Sequence, residues 1–252
     1  MGLSQSGALL LDDGTRIAYR NREGRGPTLV WLGGFKSEMT STKPEALDAW
    51  AAREGRALLR FDYFGHGASS GNFRDGTVTR WHEDALSVID TQSDGPLILI
   101  GSSMGAWLAL LSTLARPRRV AGLLLIAPAT DFTEALLWAS YPPDVRETIM
   151  RDGVWLWPSA YDDDPYPITR NLIEDGRKHL LLGAPVPIAC PVRIVQGMAD
   201  PDVPWEHAMR LVGRLGEDVE MTLVKAGDHR LSKPREILLI LRMLAALADE
   251  VG

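Results

Sequence analysis

The sequence predicts an α/β fold, with a mostly parallel sheet of about eight strands, helices on both faces and an inserted lid segment. Short apolar runs alternate with helical stretches over most of the 252 residues. The apolar runs are continuous, as in strands that are buried on both faces. This alternation stops between residues 131 and 189. We therefore expect a core formed by residues 1–130 and 190–252, with an insertion between its two parts.

The chain opens with a predicted β-hairpin. Residues 8–11 and 15–20 are rich in β-forming side chains and are separated by the turn Asp12-Asp13-Gly14. A linker of glycine and proline then leads to residues 28–32, which we interpret as the first buried strand.

Helices and buried strands then follow each other in turn. Helices are predicted over residues 44–54, 79–90, 104–116, 205–215 and 234–248. Continuous apolar runs predict buried strands over residues 57–61, 97–101, 120–126, 192–196 and 219–224. Strands that are separated by helices form parallel sheets, and the loops that follow such strands meet at one edge of the sheet.

The insertion, residues 131–189, is rich in aromatic residues and prolines. No strand is predicted inside it, and its acidic run at residues 162–164 is interpreted as a solvated face. Connecting loops usually have about 4 to 6 residues, so this segment is expected to be a lid over the carboxyl edge of the sheet. Trp138, Trp155 and Trp157 either form the small core of this lid or line an apolar pocket for an acyl group.

Composition and charge exclude several classes of protein. The formal net charge is −6 and no run of lysine and arginine could follow a phosphate backbone, so nucleic acid is not an expected partner. No apolar run approaches the roughly 18 residues of a membrane helix, so stable membrane insertion is not expected. The single cysteine, Cys190, can form neither an internal disulfide nor a cysteine-based zinc site. The first residues lack the features of a secretory signal, and a cytoplasmic protein is therefore expected.

The strongest local motif is Gly101-Ser-Ser103-Met-Gly105, which lies between a predicted strand and an apolar helix. In a nucleophile elbow the serine occupies a strained strand-to-helix turn, and the two glycines remove side chains that would clash. The motif predicts Ser103 as a nucleophile.

A serine hydroxyl needs a neutral imidazole within hydrogen-bond reach and a carboxylate that holds this imidazole. His229 follows the last predicted strand, where its side chain can reach the carboxyl edge of the sheet. Asp200 follows the preceding strand and is preferred to Asp202 as the acid. The order Ser103, Asp200, His229 is the order that this architecture uses for its triad. The remaining histidines are interpreted as structural: His66, His82, His179 and His207.

Acyl transfer also needs amide donors for an oxyanion. The amide of Met104, directly after the nucleophile, and the amide of Phe35, in the glycine turn after the first buried strand, are the candidates. The glycine pair before Phe35 could also be a plain turn. Residues 62–69 lack the spacing and lysine of a phosphate loop and are interpreted as a structural turn. No metal-ligand spacing is present, and neither a metal nor a cofactor is expected.

With these residues in place, the chain resembles the α/β-hydrolases over essentially its whole length. Within them it is similar to the group of palmitoyl-protein thioesterases that also hydrolyse acyl glucuronides. The resemblance is carried by residues 34–40, 60–65, 101–107, 153–155, 197–205 and 228–230. It implies a serine hydrolase for a small-molecule or acylated substrate, with Ser103 as nucleophile, Asp200 as acid, His229 as base and the turn at Gly34 and Phe35 in the oxyanion hole.

Two other functions fit the same sequence. A peptidase or amide hydrolase of this fold would use the same triad, because the triad does not choose the leaving group. A non-catalytic ligand-binding protein could be built on the same scaffold, because a fold alone does not define an activity.

Overall fold

The structure, a computed structural model, describes residues 4–158 and 165–252. Its strands are β1 (Ser4–Leu10), β2 (Arg16–Arg22), β3 (Arg25–Leu32), β4 (Arg56–Phe61), β5 (Leu97–Ser102), β6 (Val120–Ile126), β7 (Val154–Trp157), β8 (Tyr166–Thr169), β9 (Val192–Gly197) and β10 (Val219–Val224). Its helices are α1 (Thr42–Glu54), α2 (Val78–Gln92), α3 (Met104–Ala115), α4 (Pro143–Asp152), α5 (Arg170–Gly176), α6 (Trp205–Val212) and α7 (Pro234–Glu250). The acidic run at 162–164 lies outside the described residues.

Within the described residues, eight strands form one sheet in the order β1-β2-β4-β3-β5-β6-β9-β10. The hairpin β1–β2 and the pair β2–β4 are antiparallel, and all other neighbours in this sheet are parallel. The predicted fold class, a mostly parallel sheet of about eight strands, is therefore confirmed. Each of the eight strands expected from the sequence is present.

Two hydrophobic cores cover the two faces of the sheet. Along β5, Leu97 and Leu99 belong to one core and Ile98 and Ile100 to the other, and all four are fully buried. The first core includes residues of α2 and α3, and the second includes residues of α1 and α7. Each such side chain contributes about 1.5–3 kcal/mol by leaving water. Burial on both faces explains why the central strands read as continuous apolar runs.

The insertion differs from the prediction because it contains a small β-sheet of its own. Strands β7 and β8 pair in an antiparallel arrangement, with Val154 opposite Thr169 and Leu156 opposite Pro167. Both strands have only four residues, and a proline inside a run argues against a strand in sequence reasoning. Proline is tolerated in a two-stranded sheet because each strand has one unpaired edge, where no N–H donor is needed. The prediction of no strand in this segment was wrong.

The longest helix in the described part of the chain, α7, has 17 residues. Its buried positions include Ile240, Leu244 and Leu247, which pack in the second core. Across the described ranges, no helix combines the length and the apolar character that crossing a membrane requires.

The parallel strands bring distant residues to one edge of the sheet. Ser103 directly follows β5, Asp200 lies three residues after β9, and His229 lies five residues after β10. The turn at residues 33–37 follows β3. Because the carboxyl ends of parallel strands meet at the same edge, these loops lie together.

Candidate active site

Ser103 lies in a strained turn between β5 and α3. Its φ of 56° and ψ of −119° are rare for a residue with a side chain, and such a conformation costs about 1–3 kcal/mol. A Cβ atom at Gly101 would meet the carbonyl oxygen of Gly105, and one at Gly105 would meet the carbonyl oxygen of Leu32. The two glycines of the motif are therefore required by close backbone packing, which holds the serine at the edge of the sheet.

A chain of hydrogen bonds joins the three residues predicted to form a triad. His229 Nε2 lies 3.0 Å from Ser103 Oγ, and His229 Nδ1 lies 2.8 Å from Asp200 Oδ2. In the neutral imidazole that fits both contacts, Nδ1–H donates to the carboxylate and Nε2 accepts the serine hydroxyl. The arrangement can move the serine proton onto the imidazole.

Asp200 is held by more than its histidine contact. Its side chain is fully buried, and its Oδ1 atom accepts the backbone N–H groups of Asp202 and Val203, both at 2.9 Å. Oδ2 also accepts the Gln196 amide at 3.2 Å. These bonds keep the carboxylate pointed at His229. Asp202, the alternative acid, contributes its backbone to this network while its side chain lines the adjacent cavity.

Among the described residues, one group has a spacing that could suit a metal ion. The side-chain ligand atoms of Asp200, Asp202 and His229 lie within 4.8 Å of one another. The Asp200 oxygens already accept four hydrogen bonds, including the one from His229. A cation would have to displace the His229 contact, so this group is better suited to proton transfer.

The turn after β3 lies against the nucleophile. A Cβ atom at Gly34 would lie 3.4 Å from Ser103 Cβ and 4.0 Å from Ser103 Oγ. The Ser37 N–H donates to the Gly34 carbonyl oxygen at 3.1 Å and closes the turn. The Phe35 N–H makes no hydrogen bond to any residue that the structure describes. Met104 opens α3, and the first N–H groups of a helix have no partner within it. Both predicted oxyanion donors are thus next to Ser103 and available.

An apolar cavity of about 330 Å³ opens at the nucleophile. Its lining combines core and insertion residues: Phe35, Ser103, Ala129, Phe132, Leu136, Leu137, Trp157, Pro158, Tyr166, Asp202, Val203 and His229. Sequence reasoning found Trp157 but missed Leu136 and Leu137, which come from a short π-helical turn at Thr133–Trp138. The apolar run in that turn was the available signal.

The other two tryptophans of the insertion are not among the lining residues of this cavity, which corrects their prediction. Trp155 lies two residues before Trp157 on β7. Its ring packs edge-on against Tyr141, with 5.0 Å between the ring centroids. Residues two apart on a strand are separated by about 6.6 Å, enough to take Trp155 out of the cavity and against Tyr141, which belongs to the first core. The Trp138 ring instead faces the guanidinium groups of Arg146 and Arg177.

A second, polar cavity of about 530 Å³ shares Phe35, Tyr166 and His229 with the first. Lys43 and Arg230 are among the residues that line it, together with several hydroxyl side chains. The Lys43 ammonium donates a hydrogen bond to the Arg230 carbonyl oxygen. Burial, reinforced by the nearby Arg230 charge, lowers the pKa of Lys43 to about 8. Sequence reasoning did not find this cavity.

The histidines interpreted as structural contact groups other than Ser103. His207 Nε2 contacts the Thr130 carbonyl oxygen at 2.7 Å, and His179 Nε2 contacts Thr79 Oγ1 at 2.7 Å. The His82 ring lies 6.5 Å from that of His179, between centroids. His66 is buried and contacts the backbone of Lys36.

Comparisons with known proteins find relatives over most of the chain. The model of the alpha/beta hydrolase family matches residues 29–238. The mitochondrial palmitoyl-protein thioesterase ABHD10 of Homo sapiens is 36% identical over 238 residues, which cover 94% of this chain and 78% of that protein. The corresponding protein of Pongo abelii is 37% identical with the same coverage.

Solved structures match over nearly the whole chain. A crystal structure from Agrobacterium vitis S4 has a TM-score of 0.94 and 42% identity, covering 98% of this chain and 99% of the other. Mouse alpha/beta hydrolase domain-containing protein 10 has a TM-score of 0.92 and 34% identity, covering 98% and 100%. Est1E from Butyrivibrio proteoclasticus, solved with ferulic acid, has a TM-score of 0.79 at 19% identity and covers 96% and 98%, so it shares the fold.

Proposed function

This chain belongs to the alpha/beta hydrolase family and is a hydrolase acting on ester or thioester bonds, and we propose that it works through an acyl-enzyme on Ser103. The observation that carries the proposal is the continuous hydrogen-bond chain from Ser103 Oγ through the His229 ring to the buried Asp200 carboxylate. The free amides of Phe35 and Met104 beside this serine add the second requirement of acyl transfer.

In the first half-reaction, Ser103 Oγ attacks the substrate carbonyl carbon while its proton passes to His229 Nε2. The Asp200 carboxylate stabilises the imidazolium that forms. The carbonyl oxygen becomes an oxyanion and accepts hydrogen bonds from the Phe35 and Met104 amides. When the carbonyl re-forms, the bond to the leaving group breaks, and His229 gives its proton to the departing alcohol or thiol.

In the second half-reaction, water attacks the acyl-enzyme and gives its proton to the same imidazole. The tetrahedral intermediate then expels Ser103 Oγ, which takes the proton back, and the carboxylic acid leaves. Each oxyanion donor is expected to supply about 2.7–4 kcal/mol of barrier reduction. No step requires a metal or a cofactor.

The two cavities suggest how a substrate lies in the site. We place the acyl group in the apolar cavity lined by Trp157, and the leaving group in the polar cavity lined by Lys43 and Arg230. Residues 131–189 then act as a lid, since several of them line the acyl side. Relatives at 36–37% identity are named palmitoyl-protein thioesterases, which supports an acylated protein as the substrate. An acyl glucuronide is the second substrate class, because the leaving-group cavity is polar.

A panel of acyl esters and matched thioesters of increasing chain length tests the proposal, with wild type and Ser103→Ala assayed side by side. Each added CH₂ that the cavity buries contributes about 0.8 kcal/mol, so the kcat/KM of wild type should rise by up to about fourfold per CH₂. The rise should stop once the cavity is full. Ser103→Ala should be inactive on all of them. Equal turnover by this variant would overturn the acyl-enzyme, and faster turnover of matched amides would favour an amide hydrolase.

The cytoplasmic location also stays a prediction, which fractionation of cells producing the chain would test.

A further inference from the structure

Lys36 has a backbone conformation that its side chain disfavours. Its φ is 55°, whereas Phe35, the residue before it, is not among those with positive φ. The bond from Ser37 N–H to the Gly34 carbonyl closes a four-residue turn over these positions. A negative φ followed by a positive φ is the sign pattern of a type II turn, which favours glycine at its third position. A lysine there costs about 1–2 kcal/mol, so contacts outside the turn must help to hold it.

His66 provides such a contact. The Lys36 N–H donates to His66 Nε2 at 3.1 Å, and His66 Nδ1 lies 3.1 Å from the Phe64 carbonyl oxygen. The two contacts require one neutral tautomer, with the proton on Nδ1 and the lone pair on Nε2. His66 follows β4, a neighbour of β3 in the sheet, so the contact joins two loops at the same edge.

The imidazole is held rigidly in that orientation. His66 is 3% exposed, and three aromatic rings pack edge-on against it at centroid distances of 5.5 Å for Tyr63, 5.0 Å for Phe73 and 5.3 Å for Trp81. Burial lowers its pKa to about 4. At neutral pH the ring is therefore an uncharged acceptor, which is the form that the Lys36 amide needs.

The contact fixes the position of the turn that carries the Phe35 amide. The peptide before the Phe35 Cα atom is fixed because its carbonyl, on Gly34, accepts the Ser37 N–H. The peptide after it is fixed because its N–H, on Lys36, donates to His66. In a trans peptide the N–H points opposite to the carbonyl, so the Phe35 N–H points out of the turn. The turn itself lies against Ser103 through Gly34.

We propose that His66 is a positioning residue for the oxyanion hole, whose Nε2 lone pair holds the Lys36 amide and thereby keeps the turn, with its Phe35 N–H, in place for the substrate oxyanion. The inference rests on the proposed function, in which this N–H binds the oxyanion. Without the acceptor, the turn would lose its tie to the loop after β4, and the whole turn, with the Phe35 N–H, would shift relative to Ser103. The oxyanion would then lose one well-aligned donor, while the binding of the ground-state ester would change little.

Three substitutions separate positioning from packing. His66→Leu and His66→Met remove the acceptor and keep an apolar filler, whereas the side-chain oxygen of His66→Gln can reach the same amide. Loss of one oxyanion donor costs about 10²–10³ in kcat, so the leucine and methionine variants should lose about 10- to 100-fold in kcat with little change in KM. The glutamine variant should stay within a few fold of wild type. If leucine prevents folding, the methionine and glutamine variants give the same comparison.

Inhibitor binding provides a readout that packing alone would not move. A trifluoromethyl ketone forms a tetrahedral adduct with the serine and places an oxyanion in the hole, whereas the corresponding alcohol resembles the ground state. His66→Leu should weaken the ketone by the same factor as kcat/KM and leave the alcohol unchanged. Equal loss for both inhibitors, or for neither, would overturn the proposal.

A second substitution tests the turn itself. In the His66→Leu background, Lys36→Gly should restore most of the lost kcat, because glycine adopts the positive φ without help. Lys36→Met removes the same ammonium but keeps the disfavoured φ, and should restore nothing. Restoration by both or by neither would contradict the role of His66. If Ser103→Ala were active, the proposed function itself would fail, whereas a serine-dependent enzyme indifferent to His66 would overturn this inference alone.

Discussion

Replacing Asp200 by asparagine should remove most of the activity while keeping the shape of the site. The Asp200 side chain is fully buried, and its Oδ2 atom accepts the His229 Nδ1–H at 2.8 Å. An asparagine amide at this position donates a proton, so His229 must carry its own proton on Nε2. That atom then cannot accept the Ser103 proton across 3.0 Å.

The expected loss in kcat is roughly 10⁴-fold, because a triad with the wrong histidine tautomer keeps its geometry and loses its base. This factor corresponds to about 5.4 kcal/mol of activation free energy. The asparagine carbonyl can keep the bonds that Oδ1 accepts from the Asp202 and Val203 amides, whereas its amide group faces the Gln196 amide group. One badly matched buried polar pair should lower the free energy of unfolding by about 1–3 kcal/mol.

Steady-state kinetics on one short ester, together with urea unfolding, measures both effects. Asp202→Asn is the matched control, because it makes the same chemical change two residues away and leaves intact the Asp202 backbone N–H that bonds Asp200. The control should keep kcat within a few fold. The assignment of Asp200 as the acid is refuted if Asp200→Asn keeps more than a tenth of the wild-type kcat, or if Asp202→Asn is the more damaging change.

Three further predictions concern the triad, the acyl side and acid stability. Ser103→Ala and His229→Ala should each lower kcat by about 10⁴ to 10⁶ without changing the melting temperature by more than a few degrees, which kinetics and calorimetry would check. Trp157→Ala should reduce the preference for long over short acyl chains, whereas Trp155→Ala should lower the melting temperature and leave that preference unchanged. A reversed pattern in this pair would contradict the cavity assignment. Because burial lowers the folded-state pKa of His66 to about 4 while the unfolded value stays near 6.5, the unfolded chain takes up a proton first as pH falls. The free energy of unfolding should thus decrease by about 3 kcal/mol between pH 7 and pH 4 through this group, and urea titrations of His66→Gln should lack that part of the decrease.

The three residues of the proposed triad could be placed together from the sequence because parallel strands impose a simple rule. Ser103, Asp200 and His229 each follow a recognisable buried strand. Strand order in such sheets differs from chain order, but all carboxyl ends still share one edge. The rule therefore predicts that Ser103 and His229, which are 126 positions apart in the chain, lie close together, even when the strand order is not known.

The insertion could not be predicted to the same depth. Its two strands have four residues each, too few to show a period, and one contains Pro167. Which tryptophan lines the cavity depends on where β7 ends relative to Ser103. Trp155 and Trp157 lie on the same strand two residues apart and have the same local pattern, so only the tertiary packing of Tyr141 against Trp155 separates them.

Contacts between loops were also hidden from the sequence. His66 was interpreted as a packing or turn residue because its partner, the Lys36 amide, is a backbone group 30 residues earlier. The polar cavity joins Lys43 to Arg230, which are 187 residues apart in the chain. Neither pair has a sequence signature, since a backbone amide or carbonyl can be supplied by any residue.

The proposed mechanism requires a covalent bond between the substrate acyl group and Ser103. Rapid acid quenching after mixing the protein with an activated ester, followed by intact-mass measurement and peptide mapping, detects that bond. Wild type should show a mass increase equal to one acyl group on the peptide that contains Ser103. The same increase should be absent from Ser103→Ala. Turnover by wild type with no adduct at Ser103, or with the acyl group on another residue, would contradict the proposed mechanism.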